Sequence, residues 1–122
     1  MFSDAVLDHF QNPRNAGELR GATAKVEVSN PVCGDVLQLA VRIEDDRIVE
    51  ARFLCRGCTT AIASASLLTE QIQGRTLLEL RSTTAKSLSR LLGELPAATF
   101  HGAELAADAV QTLLRNIAAN YR

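Results

Sequence analysis

Three short segments of the chain carry side chains of the types that ligate metals. The first is Pro31-Val32-Cys33-Gly34-Asp35, the second Cys55-Arg56-Gly57-Cys58, and the third Phe100-His101-Gly102. Gly34 permits a tight turn, so the Cys33 thiolate and the Asp35 carboxylate can address one point. Cys58 is predicted near the start of a helix, where free amides and the helix dipole favour a thiolate. Thiolate, carboxylate and imidazole together make a ligand set for zinc or iron.

Each segment also has a plainer reading. Gly-Asp pairs are common in turns. Cys55 shares its alternation with Phe53 and Ala51, which suits a small core residue. A single histidine is more often a capped or surface residue than a ligand. Cys55-x-x-Cys58, after a strand and opening a helix, also has the spacing of a thioredoxin-like redox pair, although no parallel βαβ pattern surrounds it.

The elements that must position these residues follow from hydrophobic periodicity. Ser3 is expected to cap a first helix, with Phe2 stapled to Leu7 and with Val6, Leu7 and Phe10 on its inner face. Asn12-Pro13 ends that helix, and residues 14–22 read as loop. Three strands are expected next. Ala24, Val26 and Val28 alternate between Thr23 and Ser29; Leu37, Leu39, Val41 and Ile43 alternate in the second; Val49, Ala51, Phe53 and Cys55 alternate in the third. Asp45-Asp46 supplies a tight turn between the last two.

The remainder is predicted helical. Thr59 to Gln73 forms one helix, stopped by Gly74, with Ile62, Ser66, Leu67 and Thr69 in helical spacing. A short turn around Leu77, Leu78 and Leu80 follows, then a helix from Ala85 to Leu92. A long last helix from Ala103 carries a stripe of Ala106, Val110, Leu113, Leu114, Ile117 and Tyr121. Strands followed by helices predict an α+β fold: a small three-stranded antiparallel sheet covered by helices on one face. Residues 1–122 read as a single domain.

Bulk properties exclude several classes. With 122 residues, the chain is long enough for one core without staples. The net charge of -1, the scattered arginines and the 4% aromatic content argue against nucleic acid. No segment approaches about 18 unbroken apolar residues, so no membrane helix is expected. The N-terminus, with Asp4 and Asp8, resembles neither a secretory signal nor a transit peptide, and the expected setting is cytoplasmic. Three cysteines in such a chain point to metal or redox chemistry rather than a disulfide framework.

The motifs resemble those of the IscU/NifU N-terminal family of iron–sulfur cluster assembly scaffolds. Asp8-His9-Phe10-Gln11-Asn12-Pro13-Arg14-Asn15 is similar to the family's opening D-H-Y-x-N-P-R-N. Asn30 to Asp35 is similar to its first cysteine motif, and Gly57-Cys58-Thr59-Thr60-Ala61-Ile62-Ala63-Ser64-Ala65-Ser66 to its second, G-C-x-x-[AS]-x-A-S-x-S. The resemblance implies an IscU/SufE-like fold and a non-enzymatic scaffold or carrier. It implies a transient [2Fe–2S] cluster or iron, sulfur from a cysteine desulfurase, and delivery to recipient apo iron–sulfur proteins. It makes Cys33, Asp35, Cys58 and His101 the ligands, with Asp35 the weak one that lets the cluster leave. The alternative is a zinc-binding sulfur acceptor or desulfurase regulator using the same residues.

Two departures stand out. The family's H-C in the third region is His101-Gly102 here, so one thiol is missing. Cys55 is the sequence's possible substitute ligand, and Gly102→Cys is expected to restore sulfur acceptance if residue 102 does not need a positive φ. Leu95-Pro96-Ala97-Ala98-Thr99 replaces the L-P-P-V-K read by a dedicated Hsp70 chaperone, which implies that this partner does not recognise the chain.

Overall fold

A computed structural model describes residues 2–31 and 34–120. Helix α1 (Asp4–Gln11) precedes strands β1 (Ala24–Asn30), β2 (Asp35–Glu44) and β3 (Arg47–Arg56); then come α2 (Thr59–Ile72), a 3₁₀ turn at Glu79–Ser82, α3 (Ala85–Leu91) and α4 (His101–Asn120). The strands form one antiparallel sheet in the order β1-β2-β3, as the alternation predicts. Helices α2 and α4 pack on one face of it. On the other face Lys25, Glu27 and Ser29 are exposed, and Glu50 joins Arg42 at 3.4 Å and Arg52 at 3.2 Å.

Local chemistry explains the connections. Ser3 caps α1, its Oγ accepting from the Val6 amide at 3.1 Å. Asp45 and Asp46 have φ of 53° and 60°, the pair of positive values that a two-residue hairpin turn of this twist requires and that Asp tolerates. Gly74, at φ 85°, follows the Gln73 cap of α2. Leu39, Leu68 and Leu113 are 0% exposed, each stabilising the core by about 1.5–3 kcal/mol through leaving water.

Packing changes several expectations. A register shift falls at Arg42/Ile43, where Arg42 pairs with Glu50 and Ile43 with Ile48. Val49 is therefore the extra residue of a bulge; it is exposed, and Ile48 takes the buried place. In α1 the buried face is Val6 and His9, while Phe2, Leu7 and Phe10 stay exposed, so the expected staple and inner stripe are displaced. Helix α2 is no one-sided amphipath: every residue from Ala63 to Thr69 is buried, because α1, β3 and α4 surround it. The last helix starts at His101 rather than Ala103, and Tyr121 lies outside the described residues. Among the described residues, no helix is long and apolar enough to cross a membrane.

Candidate metal centre

The site forms at the end of the sheet where β2 begins and β3 ends. Gly34, at φ 74°, donates its amide to the Asn30 carbonyl at 2.7 Å and closes the turn that starts β2. Asp35 is the first residue of that strand and is only 4% exposed. β3 ends at Arg56, and two residues later Cys58 is the N-cap of α2. Its backbone is extended, its carbonyl accepts from the Ile62 amide at 3.1 Å, and its side chain makes no cap bond. The thiol is thus left to address the site. His101, half-buried, opens α4 on the other side.

These three elements bring three potential ligand atoms together. Cys58 Sγ lies 3.6 Å from His101 Nε2 and 3.9 Å from Asp35 Oδ2, and His101 Nε2 lies 3.6 Å from Asp35 Oδ2. A tetrahedral ion with bonds of about 2.0–2.3 Å holds its ligands about 3.3–3.8 Å apart. The two distances to His101 Nε2 fall within that range and the third, 3.9 Å, lies just beyond it, so the trio is close to the edge lengths of a coordination polyhedron. A buried carboxylate facing a thiol and an imidazole at these distances suits a cation placed between them. Cys58 is exposed, so the site opens to solvent on its thiol side.

The sequence candidates divide accordingly. Asp35, Cys58 and His101 converge. Cys33 lies outside the described residues. Cys55 does not join the trio. It is half-buried against the core, as its shared parity with Phe53 anticipates, and it pairs with Leu37 across the sheet. Burial, reinforced by the negative charges of Asp35 and Cys58, pushes its thiol up to about 11, so it is protonated at neutral pH. Cys55 and Cys58 are both free thiols.

The opening motif serves the architecture of the site rather than its ligands. Ser66 Oγ accepts from the Arg14 amide at 2.8 Å and lies 2.8 Å from His9 Nδ1. The other ring nitrogen, Nε2, faces Glu70 Oε1 at 3.7 Å. Asn15 donates to Thr69 Oγ1 at 3.2 Å, and its carbonyl accepts from the Phe53 amide at 3.0 Å. The opening motif is thereby fastened to Ser66 and Thr69 of α2.

Two glycines make close contacts that their place in the motifs does not reveal. Gly57 packs against the Asp35 side chain, and Gly102 packs against the backbone of α2. Motif spacing marks both positions, but only the folded chain shows what fills the space where their side chains would be.

Known proteins share this chain's sequence pattern and fold. Residues 1–121 match the family described as "NifU-like N terminal domain". The chain is 42% identical over 111 residues to the iron-sulfur cluster assembly scaffold protein IscU 1 of Archaeoglobus fulgidus, covering 91% of this chain and 72% of the relative. It is 40% identical over 119 residues to the IscU scaffold of Azotobacter vinelandii, covering 94% and 92%. In fold it is similar to the N-terminal part of a nitrogen-fixing NifU-like protein from Brucella abortus, with a TM-score of 0.83 at 18% identity, covering 97% and 94%.

Proposed function

The chain belongs to the NifU-like N-terminal domain family and is an iron–sulfur cluster assembly scaffold rather than an enzyme, and from that premise we propose that it gathers iron and a transient [2Fe–2S] cluster on Cys33, Asp35, Cys58 and His101. The observation that carries this reading is the convergence of Asp35 Oδ2, Cys58 Sγ and His101 Nε2 within 4.8 Å of one another.

The donor set suits cargo that must leave. Thiolates hold iron strongly; a carboxylate and an imidazole in place of further thiolates weaken the hold. Asp35 is the labile ligand in this scheme, and exposed Cys58 leaves one side of the cluster accessible to a recipient. Sulfur comes from a cysteine desulfurase, and recipient apo iron–sulfur proteins take the product. Leu95-Pro96-Ala97-Ala98-Thr99 departs from the chaperone motif, which supports transfer without a dedicated Hsp70. The free thiols Cys55 and Cys58 suit a reducing, cytoplasmic setting.

A second reading has one specific support. The separations of 3.6 Å and 3.9 Å at Cys58 also fit a single tetrahedral zinc, which would make the chain a zinc-binding sulfur acceptor or desulfurase regulator.

Anaerobic reconstitution with iron, cysteine and a desulfurase separates the two. The scaffold reading expects a brown, oxygen-sensitive protein whose visible absorption disappears in Cys58→Ser. A colourless product that keeps one zinc per chain in the presence of excess iron and sulfide would overturn it.

A further inference from the structure

Gly102 stands where the resemblance places a thiol, and its surroundings show a different use for the position. Its φ lies outside the left-handed region, so the backbone there does not require glycine. The restriction is contact. A Cβ at residue 102 would fall 2.9 Å from the Thr60 carbonyl carbon, 3.0 Å from its oxygen and 3.0 Å from the Ala61 nitrogen. All three are backbone atoms of the first turn of α2. A side chain can rotate aside, but a helical backbone can yield only if the two helices separate.

The contact sits between two ligands. Cys58 caps α2 two residues before Thr60, and His101 immediately precedes Gly102. The first turns of α2 and α4 meet through Gly102, which is itself buried. Their separation determines how far the imidazole of His101 stands from the Cys58 thiol, now 3.6 Å.

We infer that Gly102 is a positioning residue: its missing side chain seats α4 on the first turn of α2 and so brings His101 Nε2 to coordination distance of Cys58 Sγ. This rests on the metal-centre reading above. In this chain, position 102 acts as a spacer that recruits the imidazole, and it is closed to a thiol in the same pose. For Gly102→Cys the obstacle is the Thr60 backbone rather than φ.

The test uses anaerobic cobalt(II) binding by the full chain, read as affinity against a chelator and as the ligand-field and thiolate-to-cobalt absorption bands. The variants are Gly102→Ala, Gly102→Cys, His101→Ala, Cys58→Ser and the Gly102→Ala/His101→Ala pair. Gly102→Ala should weaken binding by about 10–100-fold, the usual effect of disturbing a residue that orients a ligand. It should have little further effect once His101 is gone, because it acts through His101. Gly102→Cys should add no thiolate band relative to Gly102→Ala.

Natural affinity in Gly102→Ala, an undiminished loss in the His101→Ala background, or a new thiolate band with tighter binding in Gly102→Cys would each overturn the inference. If Gly102→Ala does not fold, the cobalt form of the natural chain still decides. A hyperfine-shifted imidazole N–H that disappears in His101→Ala is expected, and absence of that signal overturns the inference. Cobalt binding untouched by Cys58→Ser would instead remove the metal-centre reading itself.

Discussion

The Asp35 carboxylate lies in the space a side chain at Gly57 would fill: a Cβ there would fall 2.8 Å from Asp35 Oδ1 and 2.9 Å from its Cγ. The residue preceding Cys58 thus makes room for the buried carboxylate. Gly57→Ala should push the carboxylate off its line toward Cys58 and His101. We expect metal affinity to fall by about 10–100-fold, with about 1–3 kcal/mol of stability lost to overpacking. Chelator competition and denaturant unfolding measure the two effects separately. Unchanged affinity would mean that Asp35 does not hold the metal.

Removing the carboxylate itself should act differently. Asp35→Ala leaves the thiolates in place and deletes the hard oxygen donor, so a reconstituted cluster should persist longer and transfer more slowly to an apo-ferredoxin. Transfer followed by circular dichroism checks this. A rate equal to that of the natural chain would refute the labile-ligand role.

Cys55 should behave as a packing residue with a reluctant thiol. At pH 8 an alkylating reagent should modify exposed Cys58 well before Cys55, as peptide mass spectrometry would show. The folded-state value for Cys55 is raised from 9.0 to about 11, so the unfolded chain loses that proton first as pH rises. Its contribution to stability is full below pH 9.0 and is lost between 9.0 and about 11. Cys55→Ser should cost about 1–2 kcal/mol, from placing a hydroxyl in a mostly apolar setting, and should leave metal binding intact. Loss of cluster formation in a folded Cys55→Ser protein would instead make Cys55 the substitute for the missing thiol.

His9 gives the fold an acid-sensitive fastening. Burial, with the Arg14 charge adding to it, lowers the imidazole below its usual 6.5 despite Glu70 and Asp8 nearby. The unfolded chain therefore takes up the proton first as pH falls. The stability His9 contributes is present above 6.5 and is lost as pH drops through the lower folded-state value. Urea unfolding at pH 7.5 and pH 5.5 should show this loss, and His9→Gln should reduce the difference between the two. An identical pH dependence in His9→Gln would assign the loss to other groups.

How far the sequence reaches is clearest from neighbouring residues. The alternation of Leu37, Leu39 and Val41, the Asp45-Asp46 turn and the Gly74 stop are local properties, set by dihedral preferences and by which side chains avoid water. Together they determined the antiparallel sheet and the order of the helices, with the ends of most elements placed to within a residue or two. The motif residues also marked Asp35, Cys58 and His101, because spacing along the chain is all that a motif records. What periodicity could not decide was anything dependent on a distant partner. Ile48 rather than Val49 is buried because the β2 register shifts at Arg42/Ile43, and His9 rather than Phe10 faces inward because Ser66 on α2 awaits it. The approach of Gly57 to Asp35 and of Gly102 to Thr60 is tertiary in the same sense. A glycine's role in a contact is defined by what occupies the place of its absent side chain, and that occupant comes from residues 22 positions away in one case and 42 in the other.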